Sequence, residues 1–157
     1  MILMLISLLA AAQPVVIEDP RTGLTATVDV PEAAPAPVLQ LWYVNGPMRG
    51  DFQPNVNAQL QRLGGTLDTY RTTSLAQFAA MKLEVVADKK LLHNGKDAWL
   101  VEYAGTMQGR DMHFLGLAMD ADDEGAFLLV TATAMESSWA QDESWLRAAV
   151  MSVETSR

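Results

Sequence analysis

The sequence predicts an α+β domain in which helices flank an antiparallel β-sheet. Three observations lead to this fold class. Several stretches alternate apolar and polar residues with the two-residue period of a half-buried strand. Two other stretches, residues 67–82 and the residues after Ser138, have the helical period of 3.6 residues. Turn signals such as Asn94-Gly95 join consecutive strands, which makes an antiparallel meander the simplest topology.

The N-terminus has the composition of an export signal. Residues 2–9 form an apolar run, and three alanines follow at residues 10–12. An apolar core that ends in small residues is typical of a secretory signal peptide, and this run is shorter than the roughly 20 residues of a membrane span. We expect residues 1–12 to be a signal peptide and residues 13–157 to be one secreted or periplasmic domain without a transmembrane segment. The alternative is that the run forms the first strand or helix of the fold.

Three strands are expected before the first helix, at residues 24–30, 38–44 and 56–61. The first and third alternate between apolar and polar residues, and the second is an apolar run that a turn signal closes. The proline-rich segment at residues 31–37 separates the first two strands. Because proline has no backbone N–H and breaks regular structure, we interpret this segment as a loop.

The first helix is expected at residues 67–82. Thr66 is suited to the N-cap, and Asp68 places a negative charge in the first turn, where the helix dipole favours it. An apolar stripe at helical spacing should pack against the sheet. It consists of Leu67, Tyr70, Leu75, Phe78 and Met81.

Five strand-like runs follow the first helix. They are residues 83–87, 90–93, 98–107, 110–119 and 126–134. Asn94-Gly95 and Gln108-Gly109 are turn signals, and the first suits a type I′ hairpin turn. Residues 127–130 are apolar at every position, which predicts a central strand that is covered on both faces.

The last helix is expected to begin near Ser138. Ser138 and Gln141 match the S-x-x-Q capping box, in which each side chain hydrogen-bonds to the backbone of the other end of the first turn. The apolar stripe of this helix consists of Leu146, Ala149, Val150 and Val153.

Composition excludes several classes of chemistry. The 157 residues include 11 Lys and Arg against 19 Asp and Glu, and the net charge of −8 argues against nucleic acid as a partner. The absence of cysteine from the sequence excludes disulfides, thiolate metal sites and cysteine nucleophiles. Two histidines are too few for a histidine-rich metal centre. An acidic surface favours basic partners over anionic lipids.

The acidic turn at residues 120–125 resembles the start of an EF-hand loop. Acids stand at its positions 1, 3 and 5, and Gly125 stands at position 6. Calcium loops of this type also need a bidentate Glu at position 12, which is Thr131 in this chain. We therefore expect Asp120 to Glu124 to form a solvated hairpin turn rather than a calcium site.

The remaining candidate residues do not form a recognised catalytic pattern. His113 lies in an apolar strand without a G-x-S-x-G elbow elsewhere in the sequence, so we expect a packed histidine rather than a general base. His93 lies beside a turn and is expected to be exposed. Gly64-Gly65 precedes a helix without a phosphate-binding motif and is interpreted as a plain turn. Glu84 and Glu102 lie in different strands, so a paired-carboxylate site stays open.

Aromatic residues are the other candidates for binding. Trp42, Tyr43, Trp99, Trp139 and Trp145 stand at strand and helix positions, where large aromatics fill the core. The alternative is that some of them line a surface groove, with Trp139 or Trp145 as an exposed anchor.

Five short segments, in this order, resemble the DcrB/PsbP-like (Mog-type) domain family. Residues 52–57 (FQPNVN) are similar to its F-x-P-N-V-N-V segment, and residues 66–70 (TLDTY) to its T-L-x-x-Y helix start. A hairpin turn at residues 92–95, the run LVTATA at residues 129–134 and the ending VMSV at residues 150–153 complete the resemblance. The departures are a small residue at position 58 and a non-aromatic one at position 153.

The resemblance implies an α/β/α sandwich that serves as a binding scaffold. Family members include photosystem II extrinsic subunits, a Ran-binding protein, bacterial periplasmic proteins and cytoplasmic chaperones for type VI secretion effectors. We therefore expect a non-enzymatic domain, without cofactor or metal, whose partner is a protein or a cell-envelope component. Two alternatives stay open, a cytoplasmic effector chaperone of the same fold and a hydrolase that uses Glu or His side chains.

Overall fold

The computed structural model describes residues 12–19, 24–31, 38–121 and 125–153. Residues 1–11 of the expected leader lie outside the described residues, as do parts of the proline-rich loop and of the acidic turn. The elements, in chain order, are β1 (Ala12–Asp19), β2 (Leu24–Pro31), β3 (Val38–Asn45), β4 (Asn55–Arg62), α1 (Leu67–Ala80), β5 (Glu84–His93), β6 (Lys96–Met107), β7 (Arg110–Asp120), β8 (Ala126–Met135), a 3₁₀ turn (Glu136–Ser138) and α2 (Trp139–Met151).

Six strands form one antiparallel sheet in the order β3-β4-β8-β7-β6-β5. Strands β5 to β8 make the expected meander, and the β3–β4 hairpin joins it along β8. The run at residues 127–130 lies in β8 at the centre of the sheet, as predicted. Strands β1 and β2 pair with each other in a separate two-stranded antiparallel sheet.

Helix α1 covers one face of the sheet. The Thr66 side chain accepts a hydrogen bond from the backbone N–H of Thr69 at 3.3 Å, which confirms the predicted N-cap. Tyr70 and other residues of the predicted stripe pack on Trp99 and Phe127. Met81 does not belong to this stripe, since α1 ends at Ala80 and the Met81 side chain is exposed.

Helix α2 covers the opposite face and completes the α/β/α sandwich. Leu146 and Val150 are fully buried against Leu117 and Val130 of the sheet. The expected capping box is wrong, because Ser138 lies in the 3₁₀ turn with a helical backbone and its hydroxyl donates to the Met135 carbonyl at 3.3 Å. Both apolar faces of the sheet are therefore covered by a helix.

The two short runs predicted at residues 83–87 and 90–93 are one continuous strand, β5. The gap between the two runs falls at Asp88 and Lys89, two consecutive charged residues that this edge strand accommodates. A β-bulge between Val85 and Ala87 also shifts the register within the first run. The turn after β5 has φ values of 52° at Asn94 and 79° at Gly95, which confirms the predicted hairpin turn.

Candidate binding surface and charged clusters

A charged cluster centred on His113 links the sheet to α2. The two ring nitrogens of His113 lie close to two carboxylates. Nδ1 is 2.7 Å from Glu136 Oε2, and Nε2 is 2.9 Å from Glu102 Oε1. Arg147 of α2 donates to the second oxygen of Glu102 at 2.9 Å and to Glu143 at 2.8 Å. Four elements, β6, β7, the 3₁₀ turn and α2, therefore meet in one network.

The electrostatics of the cluster favour an ionised Glu102. Burial opposes the charge, but the hydrogen bonds and positive charges of Arg147 and His113 outweigh it and lower the Glu102 pKa. His113 can donate to both carboxylates together only when both ring nitrogens carry protons. The cluster thus fixes α2 on the sheet through these hydrogen bonds and through the ion pairs of Arg147 with Glu102 and Glu143.

The geometry of His113 does not suit a general base. A base needs a free ring nitrogen that can reach the substrate proton, and both nitrogens of His113 already face carboxylates. The Trp139 ring also stacks on the imidazole at 3.9 Å between centroids, and His113 is buried. Glu84 is exposed on the edge strand β5, and its strand partner is Ala104, whereas the strand partner of Glu102 is Ala87. The expectation of a packed histidine thus agrees with this geometry.

His93 is buried, and the expectation of exposure at its turn is wrong. Its Nε2 lies 2.7 Å from the backbone carbonyl of Val153, which follows α2. The end of α2 therefore covers the turn, a contact between residues 60 positions apart that local sequence does not reveal.

Two further carboxylates hold the helices in the same way, one on each face of the sheet. Asp142 of α2 is fully buried and accepts hydrogen bonds from Arg49, the shortest at 2.8 Å, and from the Trp145 indole at 3.1 Å. Asp88 of β5 accepts from Arg71 of α1 and from the Trp99 indole, both at 2.8 Å or less.

The pKa values of both carboxyl groups lie below their ordinary range. The Arg49 hydrogen bond is the largest cause for Asp142, and that of Arg71 is the largest for Asp88. Burial opposes each shift, and an indole N–H adds to it. One ion pair connects α1 to the sheet and the other connects α2 to a loop. We therefore interpret both as structural contacts that stabilise the fold.

The aromatic residues divide between core and surface. Trp99 and Trp139 are buried, as expected for core residues. Trp42 and Trp145 are half-buried against the α2 core, and Tyr43 is 53% exposed. Tyr43 is therefore an exposed aromatic residue, as in the alternative to the core prediction.

An acidic groove of about 520 Å³ lies beside the N-terminus of α1. Asp68, Asp97 and Asp120 line it, and Lys90 forms an ion pair with Asp68. Among the described residues, no three metal-ligating side chains lie close enough to hold a metal ion. Three residues of the expected acidic turn, 122–124, lie outside the described part of the chain.

Strand β4 carries a row of side-chain amides on the face toward α1. We call Asn57, Gln59 and Gln61 the amide stripe. The Gln61 amide donates to Gln59 at 3.3 Å, Gln59 donates to Asn57 at 3.2 Å, and Asn57 donates to the Thr131 carbonyl at 3.3 Å. All three side chains are half-exposed, and Val56 and Ala58 alternate with them toward the α2 core.

A pocket of about 270 Å³ continues the amide stripe toward α1. The Tyr70 hydroxyl at its inner end donates to Gln61 at 3.1 Å. The α1 side chains share one helix face, since they recur at spacings of one, three and four residues. We call this cavity the polar pocket. Its polar side chains are Gln61, Thr69, Tyr70, Thr73, Ser74 and Gln77.

The sequence interpretation missed the polar pocket. It joins Gln61 of β4 to Gln77 of α1, and the turn at Gly64-Gly65 brings the two elements together. This turn is plain, as expected: the Gly64 N–H donates to the Gly125 carbonyl at 3.0 Å and is not available to an anion. The recurrence of Thr69, Thr73 and Gln77 at every fourth residue was the one signal in the sequence.

No family model and no curated protein matches the chain. The structure is similar to PA94 of Pseudomonas aeruginosa, a protein of unknown function, with 13% identity, a TM-score of 0.64 and coverage of 92% of this chain and 98% of that one. It is similar to LpqN of Mycobacterium tuberculosis, involved in cell envelope biogenesis, with 11% identity, a TM-score of 0.51 and coverage of 90% and 89%.

A third similar structure is cyanobacterial PsbP (CyanoP) of Synechocystis sp. PCC 6803, with 13% identity and coverage of 91% of each chain. The TM-score of this third similarity is 0.48. No helix in the described residues is long and apolar enough to cross a membrane. The comparisons with PA94 and LpqN show that the chain shares their fold, an antiparallel sheet with helices on its faces.

Proposed function

We propose that this chain is a non-catalytic binding domain of the PsbP/DcrB-like type that is exported and holds a protein or a cell-envelope component. One observation carries the proposal. The ionisable side chains of the two buried clusters, Glu102 with His113 and Arg147, and Asp142 with Arg49, pair with one another between the layers, whereas an uncharged polar surface stays open. Charges that are engaged in the fold are not available for acid–base chemistry.

The proposed export rests on the N-terminal sequence. Residues 2–9 are apolar and residues 10–12 are alanines, which suits cleavage after Ala12. LpqN, which shares the fold, is described as acting in cell envelope biogenesis. Both observations support a place for this domain outside the cytoplasm.

The alternative of a cytoplasmic effector chaperone needs a groove for an apolar helix. The apolar pocket between Phe52, Met107, Met112 and Phe114 has a volume of about 240 Å³. A helix with its side chains is about 10–12 Å across, so this pocket suits one side chain rather than a helix.

The proposal is tested by expression of the full chain with a C-terminal tag in a Gram-negative host, followed by fractionation and N-terminal sequencing. We expect a periplasmic form that begins at Gln13, and a Leu5→Asp variant that stays in the cytosol. An intact Met1 on the folded cytosolic protein contradicts export and favours the chaperone.

The absence of catalysis is tested with a panel of ester, glycoside and peptide substrates. We expect no turnover above that of the His113→Ala variant. Turnover that His113→Ala abolishes, in a variant that still folds, contradicts the proposal and favours a hydrolase.

A further inference from the structure

We propose that the polar pocket and the amide stripe bind an uncharged oligosaccharide. This inference rests on the proposed function, because it assigns the chemistry of the envelope component and the surface that holds it. Three features of the site support it: its hydrogen-bonding groups, its lack of charge and its shape.

The first step is the hydrogen-bonding capacity of the site. The wall of the polar pocket carries the amides of Gln61 and Gln77 and the hydroxyls of Thr73 and Ser74. Hydroxyl and amide groups both donate and accept hydrogen bonds. Sugar hydroxyls have the same dual capacity, so each can match a partner of either kind. The Gln61 amide uses one N–H toward Gln59 and accepts one bond from Tyr70, which leaves capacity for a ligand.

The second step is charge. Within the described residues, the polar pocket and the amide stripe contain no Lys, Arg, Asp, Glu or His side chain, although the chain as a whole carries a net charge of −8. A charged ligand that lost its water here would find no counter-charge, which penalises it relative to a neutral one. Burial raises the pKa of Tyr70 to about 12, so its hydroxyl also stays neutral at physiological pH.

The third step is shape. The pocket of about 270 Å³ suits a single small ring, and Leu63, which is 55% exposed, adds an apolar wall that the C–H face of a sugar can contact. Beyond the pocket, Gln61, Gln59 and Asn57 follow at every second residue of β4. Since a strand rises about 3.3 Å per residue, the three amides extend over roughly 13 Å. That length suits further sugar units of a chain.

The experiment is an NMR titration of the full isotope-labelled chain. The neutral probes are cellotetraose, maltotetraose and tetra-N-acetylchitotetraose, and the charged probes are tetragalacturonate and the deacetylated, cationic chitotetraose. We expect at least one neutral probe to shift amide resonances of residues 57–77, and the charged probes to bind about tenfold more weakly or not at all. The cationic probe is a strict control, because a net charge of −8 attracts it non-specifically.

Matched variants assign the binding to the pocket. Thr73→Val removes a pocket hydroxyl, and Thr72→Val removes the neighbouring hydroxyl, which bonds the Asp68 carbonyl and lies outside the pocket. Gln77→Glu adds a charge to the wall, and Gln141→Glu adds one to the exposed surface of α2. We expect about a five- to tenfold loss of affinity for Thr73→Val and Gln77→Glu, the effect of one hydrogen bond, and none for the two controls.

Three results would overturn the inference. They are no binding of any neutral probe at about 20 mM, equal losses in pocket and control variants, and shifts of the same resonances by an uncharged Gly-Ser peptide instead of a saccharide. If the protein is exported, shows no turnover and binds no probe, the saccharide site is refuted and the proposed function stands. If the protein stays in the cytosol but binds a neutral probe, the proposed export is contradicted and the saccharide site is still supported.

Discussion

The contact between Gly125 and the turn before α1 should make Gly125→Ala one of the most destabilising small substitutions in the chain. Gly125 has a φ of +81°, and a Cβ atom there would lie 2.6 Å from the Cα of Gly64 and 2.9 Å from the backbone nitrogen of Gly65. These are backbone atoms, so no side chain can rotate away. The Gly125 carbonyl also accepts hydrogen bonds from Leu63 and Gly64, at 3.3 and 3.0 Å.

The expected magnitude has two parts. A left-handed backbone costs an L-residue about 1–2 kcal/mol. Separation of the two backbone segments weakens two hydrogen bonds, each with a net value of about 1 kcal/mol. We therefore expect Gly125→Ala to lower the free energy of unfolding by about 3–4 kcal/mol.

Urea unfolding followed by tryptophan fluorescence measures this loss. Gly109→Ala is the matched control, because Gly109 has a φ of +76° and no atom within 4 Å of its added Cβ. It should carry only the backbone cost of about 1–2 kcal/mol. Equal losses for the two variants would refute the contact between Gly125 and the Gly64-Gly65 turn.

Three further predictions concern α2 and its charged contacts. Leu146→Ala should lower the free energy of unfolding, measured in urea, by about 2–5 kcal/mol, because the Leu146 side chain is fully buried. Ala148→Ser at an exposed position is the control, and an equal loss in both variants would contradict this packing. Trp145→Ala removes a half-buried indole and its bond to Asp142, so the melting temperature should fall by several degrees, and an unchanged value would place the indole in solvent. Because the pKa of Glu102 is lower in the folded state than its ordinary value of 4.5, its stabilisation is complete above that value and is lost as the pH falls through the folded-state pKa. Glu102→Gln should therefore be destabilised at pH 7 and lose less stability than the parent chain between pH 5 and about pH 3, and identical pH profiles would exclude this role.

Local patterns were sufficient to predict most of the fold. Alternation identified β2 and β4, and the Asn94-Gly95 turn placed the β5–β6 hairpin. The unbroken apolar run at residues 127–130 located the central strand, because only a strand with both faces covered needs apolar residues at every position.

The errors arose where distant contacts or irregular backbone decide the outcome. The consecutive charged residues Asp88 and Lys89 divided β5 into two apparent runs, although an edge strand can carry them. His93 is buried by the end of α2, and Ser138 lost its predicted capping role because a 3₁₀ turn precedes the helix. In each case the residue type was compatible with the expectation, and only the tertiary structure changed its environment.

The candidate site was harder to predict, because its residues carry no catalytic signature. Amides and hydroxyls are common on exposed surfaces, so Gln59 or Thr73 alone indicates nothing. The pairing of β4 with β8 and the packing of α1 on the sheet bring these groups together. Several charged residues that a sequence search singles out, such as Glu102 and His113, instead form contacts between the layers of the fold.

In the proposed division of roles, charged clusters hold the layers together and an uncharged surface binds the ligand. The most direct test measures melting temperature and saccharide affinity together for Glu102→Gln and Thr73→Val. We expect Glu102→Gln to lower the melting temperature and keep the affinity, and Thr73→Val to keep the melting temperature and lower the affinity. Loss of saccharide binding in Glu102→Gln at a temperature where it is fully folded, with Thr73→Val unaffected, would overturn this division of roles.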